Sequence, residues 1–255
     1  MRALALFVPV LLLSAPAGGA ECSARSGPNA AALVELYTSE GCSSCPPADR
    51  WLTRFPASGA GADVIALAFH VDYWDYIGWK DRLASPAWSE RQREAVRRSG
   101  GRIVYTPQVM VNGKDFRAWN SGTQFRESVG KALAKPSPVD LSLRATQDGQ
   151  HLKVFVEAAS KSAGIEGAEL VLALAESRIV TEVKAGENRG EKLAHDHVVR
   201  ALAPVGRIGK QGRLAIDREF PLAPGWKPAD LSVTAFVQDP RTGEVSQALR
   251  LACAS

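Results

Sequence analysis

Apolar and polar residues follow two different patterns along this chain, and the change falls near residue 137. In the first part, Ala31–Tyr37 has the pattern of a buried strand, and Asp63–Val71 is apolar on both faces, as in a central strand of a covered sheet. Between them, Ala48–Phe55 carries apolar residues at helical spacing. The order strand, helix, strand predicts a βαβ unit with parallel strands.

Two more helices and a hairpin complete this first part. Ser85 followed by Pro86 is a favourable helix start, and that helix is predicted to end at the Gly-Gly pair that follows. The segment Ile103–Lys114 predicts a strand that is interrupted by a proline and then runs into an Asn-Gly turn. The hairpin is predicted to return through Phe116–Trp119, and a last helix is predicted over 123–134.

After a short proline-containing linker, the chain consists of short apolar or alternating runs separated by Gly, Pro and Asp-Gly turns. These runs are Val139–Ala145, His151–Ala158, Ala168–Ala175, Ile179–Lys184, His195–Leu202, Gln211–Phe220, Asp230–Gln238 and Val245–Leu251. Such spacing predicts a β-sandwich of about seven or eight strands. We therefore expect two domains, one over 30–136 and a β-sandwich-like domain over 138–255.

The composition is that of an ordinary globular protein, with 45% hydrophobic and 23% charged residues among 255. The formal net charge of +4 is small, and Lys and Arg are scattered among acidic residues. This distribution argues against nucleic acid as a partner. The sequence indicates no cofactor.

Residues 1–20 have the pattern of a secretory signal peptide. Arg2 precedes the apolar stretch Ala3–Leu13, and small residues follow up to Ala20. The apolar stretch is shorter than the roughly 20 residues that span a bilayer, so we expect no membrane anchor in the mature chain. The mature protein is predicted to begin at Glu21 and to be periplasmic or secreted.

Two of the four cysteines, Cys42 and Cys45, form a Cys-x-x-Cys pair between the first predicted strand and the first helix. The partial positive charge at a helix start stabilises a thiolate, which favours redox chemistry. An inert structural disulfide is the first alternative. A zinc site would normally need a second such pair, whereas two thiolates with His70 nearby suit a soft metal such as copper.

The other two cysteines lie near the ends of the mature chain. Because exported proteins retain disulfides, we predict that Cys22 bonds Cys253. Two unpaired thiols in frayed termini are the alternative.

The order of the predicted elements, with the dithiol before the first helix and a proline at the hairpin, resembles the thioredoxin fold. The resemblance implies an α/β thioredoxin-like N-terminal domain followed by the all-β sandwich-like C-terminal domain. It also implies that Cys42 attacks as a thiolate and that Cys45 resolves the mixed disulfide. The pair Thr106-Pro107 looks like the cis-proline pair that faces the dithiol in such proteins. A trans proline at a strand edge is the other interpretation.

More narrowly, the chain resembles the secreted bacterial family catalogued as domain of unknown function 1223. The residues that carry this resemblance are Glu35–Asp49, His70–Asp81, Glu90–Gln92, Tyr105–Gln108 and Gly186–Gly190. The family implies a fold and an exported location. It implies no established activity.

An aromatic segment follows the second predicted strand. Asp72 is a candidate proton acceptor for Cys45, and Tyr73, Trp74 and Trp79 are candidates for a substrate-docking wall at the carboxyl end of the sheet. The alternative is a packed aromatic lid, in which these residues serve only the core.

Farther along, His195-Asp196-His197 places two imidazoles on one face of a strand, an arrangement that metals can use. Without a third local ligand, a surface pair on an edge strand is the stronger interpretation. The charged segment Glu187–Arg189 has no role that the sequence suggests.

Taken together, the residues favour an exported thiol-disulfide oxidoreductase-like protein that acts on exported thiol- or disulfide-containing proteins. This hypothesis requires Cys42 to be accessible to solvent. A soft-metal (copper) carrier and a non-enzymatic envelope binding protein are the alternatives.

Overall fold

The computed structural model describes residues 21–55 and 63–253, so the predicted signal peptide lies outside the described residues. The α-helices are α1 (Pro46–Leu52), α2 (Pro86–Arg98) and α3 (Gly122–Leu133), with 3-10 turns at Asp75–Ile77 and Pro228–Asp230. The strands are β1 (Cys22–Arg25), β2 (Ala32–Thr38), β3 (Val64–His70), β4 (Gln108–Val111), β5 (Lys114–Asp115), β6 (Val139–Asp148), β7 (His151–Ser160), β8 (Glu169–Glu176), β9 (Ile179–Glu182), β10 (Lys192–His195), β11 (Val198–Arg207), β12 (Arg213–Pro221), β13 (Leu231–Gln238) and β14 (Val245–Leu251).

Local sequence explains where several elements begin and end. The hydroxyl of Ser85 accepts a hydrogen bond from the backbone N–H of Ala87 (3.3 Å), and Pro86 occupies the first turn of α2. This is the N-cap arrangement that the sequence predicts. The predicted strand before Pro107 does not form. Residues 103–105 lie in irregular chain, and Ile103 is 62% exposed.

Eight strands form one mixed sheet in the order β14-β13-β8-β11-β3-β2-β4-β5. β2 and β3 are parallel, with Thr38 opposite His70 at their carboxyl ends. β11 is also parallel to β3, and Val198 lies opposite Ala68. A four-stranded sheet (β1-β6-β7-β12) and the two-stranded β9–β10 hairpin complete the strands.

Different elements cover the two faces of the eight-stranded sheet. Val34 and Leu36 of β2 belong to an apolar cluster with Leu52 of α1 and, at its margin, Phe125 of α3. The alternate residues of the strand, Leu33 and Tyr37, belong to a second cluster that Trp88 of α2 borders. Helices therefore cover both faces where β2 and β3 lie.

The four-stranded sheet covers the other part of the eight-stranded sheet. Leu143 and Val156 from the small sheet share one apolar cluster with Leu172 and Val233 from the large one. All four side chains are buried, so the largest part of the core lies between two sheets.

The predicted fold class, an α/β thioredoxin-like N-terminal domain followed by an all-β sandwich-like domain, is wrong. Of the described residues, 42% are in strands and 17% in helices, and strands from both halves of the chain join in one sheet. The halves meet where β11 pairs with β3, and the Ala68 N–H also donates to the carbonyl of His197 (2.8 Å). Hydrophobic patterns identify the buried face of a strand but do not identify the strand that will pair with its edge.

No helix in the described parts of the chain combines the length and the apolar character that crossing a bilayer requires.

Candidate functional site

The candidate site is the disulfide between Cys42 and Cys45, at the junction of β2 and α1. The two Cα atoms are 5.4 Å apart, and Cys45 is the N-cap residue of α1. Pro46 and Pro47 occupy the first turn of the helix, where a missing N–H costs nothing. Ser43 and Ser44, between the two cysteines, are exposed.

The sulfur atoms themselves are covered. Both Cys42 and Cys45 have 0% relative exposure, so the expectation that Cys42 is accessible to solvent is wrong. The aromatic segment packs tightly on the residue before the dithiol, because a Cβ at Gly41 would lie 3.2 Å from Cβ of Trp74. A partner can reach this disulfide only after some neighbouring group moves.

A short chain of hydrogen bonds ends on the sulfur of Cys42. The indole N–H of Trp74 donates to Oγ1 of Thr106 (2.7 Å), and the Thr106 hydroxyl donates to Sγ of Cys42 (3.4 Å). The Thr106-Pro107 peptide bond is cis. The structure therefore places Thr106 beside the dithiol, and Trp74 reaches it through Thr106. A role for Pro107 in catalysis stays a prediction.

The loop Gly186–Gly190, which joins β9 to β10, lies directly on the dithiol segment. The side-chain amide of Asn188 donates to the carbonyl oxygens of Glu40 (2.8 Å) and Cys42 (3.0 Å). The carboxylate of Glu187 accepts from the backbone N–H of Ser43 (3.1 Å), and hydrogen bonds from Ser43 lower the pKa of Glu187. Sequence reasoning assigned no role to this loop, because its contacts connect residues more than 140 positions apart.

Glu40 is buried two residues before the dithiol. One oxygen of its carboxylate accepts from the indole N–H of Trp79 (2.8 Å), and the other lies 3.2 Å from Nε2 of His195 in β10. Its backbone N–H donates to Asp81 (3.0 Å). The predicted substrate-docking residue Trp79 is thus engaged with a buried carboxylate.

His70 and Asp81 form a fully buried pair next to Glu40. Nδ1 of His70 lies 2.7 Å from the carboxylate of Asp81. Burial by itself lowers the pKa of His70, but the charge of Asp81 and the hydrogen bond to it outweigh burial, so this pKa is raised. Burial raises the pKa of Asp81, but His70 and two backbone donors bring this pKa down to about 2.

Asp49 is a buried carboxyl group that sequence reasoning missed. It lies one helical turn after Cys45, and its N–H donates to the Cys45 carbonyl (3.2 Å). Burial raises the pKa of Asp49, and the nearby imidazoles of His195 and His70 oppose this only in part. The signal available in the sequence was the spacing of four residues, which puts two side chains on one helix face.

A small cavity of about 110 Å³ separates α1 from β10. Asp49 and His195 line it, together with Pro46, Arg50 and Lys192–Ala194. Two of the buried ionisable groups near the dithiol therefore border a space between the helix and the hairpin.

Two of the predicted residues of the aromatic segment are bound to α2. The carboxylate of Asp72 accepts from the hydroxyl of Ser89 (2.5 Å), and the Tyr73 hydroxyl donates to Gln92 (3.1 Å). Burial raises the pKa of Tyr73. The proposed action of Asp72 on Cys45 stays a prediction.

The imidazoles of His195 and His197 do not form the surface pair that we expected. Both side chains are buried, and they serve different contacts. His195 faces Glu40, whereas Nε2 of His197 lies 3.2 Å from the carbonyl oxygen of Phe55. Burial, together with the charge of Arg250, lowers the pKa of His197 to about 4.

Within the part of the chain that the structure describes, no group of three or more His, Cys, Asp or Glu side chains is placed to hold a metal ion. Nδ1 of His70, the third ligand in the copper-carrier hypothesis, lies against Asp81. That hypothesis stays a prediction.

The second disulfide joins Cys22 to Cys253, whose Cα atoms are 5.6 Å apart. Cys22 is in β1, and Cys253 follows β14. The bond therefore connects the four-stranded sheet to the end of the chain after the eight-stranded sheet.

Comparison with known proteins relates most of the chain to solved structures. A crystal structure of a structural-genomics target from Agrobacterium tumefaciens is 26% identical, covers 88% of this chain and 95% of its own, and has a TM-score of 0.58. HBP35 of Porphyromonas gingivalis is 14% identical, covers 89% of this chain and 76% of its own, and has a TM-score of 0.67. The latter likeness concerns the fold alone.

No curated protein matches the sequence. The model of the family described as "Protein of unknown function (DUF1223)" matches residues 33–238, a range that includes the dithiol, Thr106 and Asn188. Because this match covers most of the chain, the protein belongs to the DUF1223 family.

Proposed function

We propose that the Cys42–Cys45 disulfide takes part in thiol-disulfide exchange with other proteins. The observation that carries the proposal is the hydroxyl of Thr106, which donates a hydrogen bond to Sγ of Cys42. A donor directed at one sulfur stabilises the thiolate that forms there when the disulfide opens. A disulfide that serves only as a crosslink does not need this donor.

In the proposed exchange, two thiol displacements occur in sequence. A partner thiolate attacks Sγ of Cys42, the bond to Cys45 breaks, and Cys45 leaves as a thiolate that takes a proton. A second partner thiol then attacks the mixed disulfide and releases Cys42. The partner ends as a disulfide, and two electrons and two protons have passed to Cys42 and Cys45; the reverse sequence oxidises the protein.

We assign to Asp49 the role of exchanging a proton with the thiolate of Cys45. It is buried on the same face of α1, one turn from the cysteine, and its raised pKa favours the protonated carboxyl group. An acid in this position can supply a proton to the leaving thiolate and take it back when the disulfide forms again.

The partners we propose are exported proteins that contain thiols or disulfides, in the periplasm or outside the cell. The signal-peptide pattern of residues 1–20 supports this location. Both pairs of cysteines form disulfides, which suits an oxidising compartment.

One observation favours a second function. Because both sulfur atoms of the dithiol have 0% exposure, the disulfide also suits a purely structural crosslink in a non-enzymatic envelope protein. In that case the Cys42–Cys45 bond would hold the β2–α1 junction and would not react with partners.

Disulfide reduction in insulin, with dithiothreitol as the electron source, separates the two functions. We expect the wild-type protein to accelerate the reduction, Cys42→Ser to abolish the acceleration, and a Cys22→Ser/Cys253→Ser variant to retain it. Equal activity of wild type and Cys42→Ser would leave the structural crosslink as the better interpretation. In cells, Cys45→Ser should accumulate mixed disulfides through Cys42.

A further inference from the structure

The segment Gly186–Gly190 forms a compact unit that packs on the dithiol segment. Inside the unit, the Arg189 N–H donates to the carbonyl of Gly186 (3.3 Å). Two further bonds join it to the flanking residues of the hairpin: the Gly190 N–H donates to the carbonyl of Val183 (2.9 Å), and the Glu191 N–H donates to the carbonyl of Asn188 (3.0 Å). The hairpin that carries it, β9–β10, forms a two-stranded sheet of its own. All of these bonds lie within the hairpin, so none of them has to break for the unit to separate from the dithiol segment.

Its contacts with the dithiol segment depend mainly on one buried side chain. The amide of Asn188 bridges the carbonyl oxygens of Glu40 and Cys42, one on each side of Gly41. Glu187 adds a bond to the Ser43 N–H, but its side chain is exposed. A buried donor that satisfies two carbonyl groups contributes more than an exposed acceptor does.

The unit also fits against the aromatic segment with little spare space. A Cβ at Gly186 would lie 3.1 Å from Cβ of Trp79, and Gly186 has φ +73°, a conformation that favours glycine. Trp79 in turn donates to Glu40. The unit therefore packs over Trp79 and the turn that leads into the dithiol.

From these contacts we infer that Gly186–Gly190 is a cover that controls access to the Cys42–Cys45 disulfide, and that Asn188 is the residue that holds it closed. A partner reaches Sγ of Cys42 only in the population in which the two Asn188 hydrogen bonds are broken. The inference rests on the proposed exchange function for its biological meaning, but access can be measured without any protein partner.

The test is the rate at which dithiothreitol reduces each disulfide, followed by alkylation and mass spectrometry. Dithiothreitol supplies two electrons and two protons and becomes a cyclic disulfide. Asn188→Ala should accelerate reduction of Cys42–Cys45 by roughly five- to thirtyfold, as the loss of two buried hydrogen bonds allows. Asn188→Asp should also accelerate it, because a carboxylate cannot donate to the two carbonyl groups.

Two further variants test whether the faster reduction comes from displacement of Gly186–Gly190. Gly186→Ala should accelerate reduction by displacing the cover while Asn188 is intact. Lys184→Gln should leave the rate unchanged, because Lys184 pairs with Glu182 on the same hairpin (2.6 Å) and is exposed. The Cys22–Cys253 disulfide in the same molecules is the internal control.

Unchanged rates in Asn188→Ala, Asn188→Asp and Gly186→Ala would overturn the inference, as would equal acceleration at both disulfides, which indicates general loosening of the fold. Selective acceleration at Cys42–Cys45 supports it. If that acceleration occurs but neither wild type nor Asn188→Ala reduces insulin, the cover stands and the proposed exchange function fails.

Discussion

Nδ1 of His70, the last residue of β3, lies 2.7 Å from the carboxylate of Asp81, and both side chains have 0% exposure. The pair also contacts the start of the dithiol segment, because Asp81 accepts from the backbone N–H of Glu40. A buried pair of this kind depends on charge for its strength, so its contribution to stability changes with pH.

The pH range in which the His70–Asp81 pair stabilises the protein follows from the pKa shifts of the two residues. The pKa of His70 is raised above 6.5, so its contribution is complete below pH 6.5 and is lost as pH rises through the folded-state value. The pKa of Asp81 is lowered from 3.8 to about 2, so its contribution is complete above pH 3.8 and is lost as pH falls toward 2. We expect the pair to stabilise the protein most between these limits.

Asp81→Asn tests this expectation by urea unfolding at several pH values. Removal of one partner of a buried pair costs about 3–5 kcal/mol. The loss relative to wild type should be largest near pH 5 and smaller at alkaline pH. Asp148→Asn, which removes an exposed carboxylate that pairs with Lys153, is the matched control and should change stability little. A loss that does not vary with pH would contradict the assignment.

Thr106→Val tests the donor on Cys42. Valine keeps the shape of threonine but cannot donate to Sγ, and it also removes the acceptor of the Trp74 indole. Because hydrogen bonds to charged groups contribute about 1.5–3 kcal/mol, the thiolate of reduced Cys42 should form at higher pH and exchange should slow about tenfold or more. Thiolate absorbance against pH and the insulin assay measure the two effects.

Thr106→Ser is the control for that experiment, since serine retains the hydroxyl group. Its thiol titration and exchange rate should stay close to those of wild type. If serine and valine behave alike, the hydroxyl does not act on the sulfur, and the main support for the proposed function is lost.

The sequence predicted individual elements well and their assembly poorly. The N-cap at Ser85 and the strand Ala32–Thr38 depend on neighbouring residues, and both are found close to where the pattern puts them. The pairing of Val198 with Ala68 joins residues 130 positions apart, and no local pattern records it. That one pairing joins strands from both halves of the chain in a single eight-stranded sheet.

In the candidate site, too, features set by neighbouring residues were predictable and features set by distant residues were not. Cys42, Cys45 and Thr106 could be identified because a motif and a resemblance pointed to them. The burial of the two sulfur atoms could not be predicted, because the Gly186–Gly190 loop that lies on the dithiol segment comes from the far half of the chain. The location of Asp49 on α1 was visible in the sequence, but its burial depends on His195 and the hairpin.

Asp49→Asn should increase stability and slow exchange. Because burial raises the pKa of Asp49, its favourable contribution is complete below pH 3.8 and is lost as pH rises through the folded-state value. A neutral amide avoids that loss, so the variant should be more stable than wild type at neutral pH, with little difference at low pH. Exchange should slow because the amide cannot pass a proton to Cys45. A variant that is less stable than wild type at neutral pH would contradict the expectation that the buried Asp49 carboxylate lowers stability there.

Removal of the second disulfide should lower stability without abolishing exchange. Cys22 and Cys253 are 231 positions apart, so their bond closes a very long loop and, in the chain-entropy model, contributes on the order of 4–5 kcal/mol. Cys22→Ser/Cys253→Ser should therefore unfold at a clearly lower urea concentration than wild type. Well below that transition, the variant should keep wild-type insulin reduction. Cys22–Cys253 joins β1 to the residue after β14, whereas Thr106 and Asn188 both contact Cys42. A variant that is folded but inactive would show that the two disulfides act together.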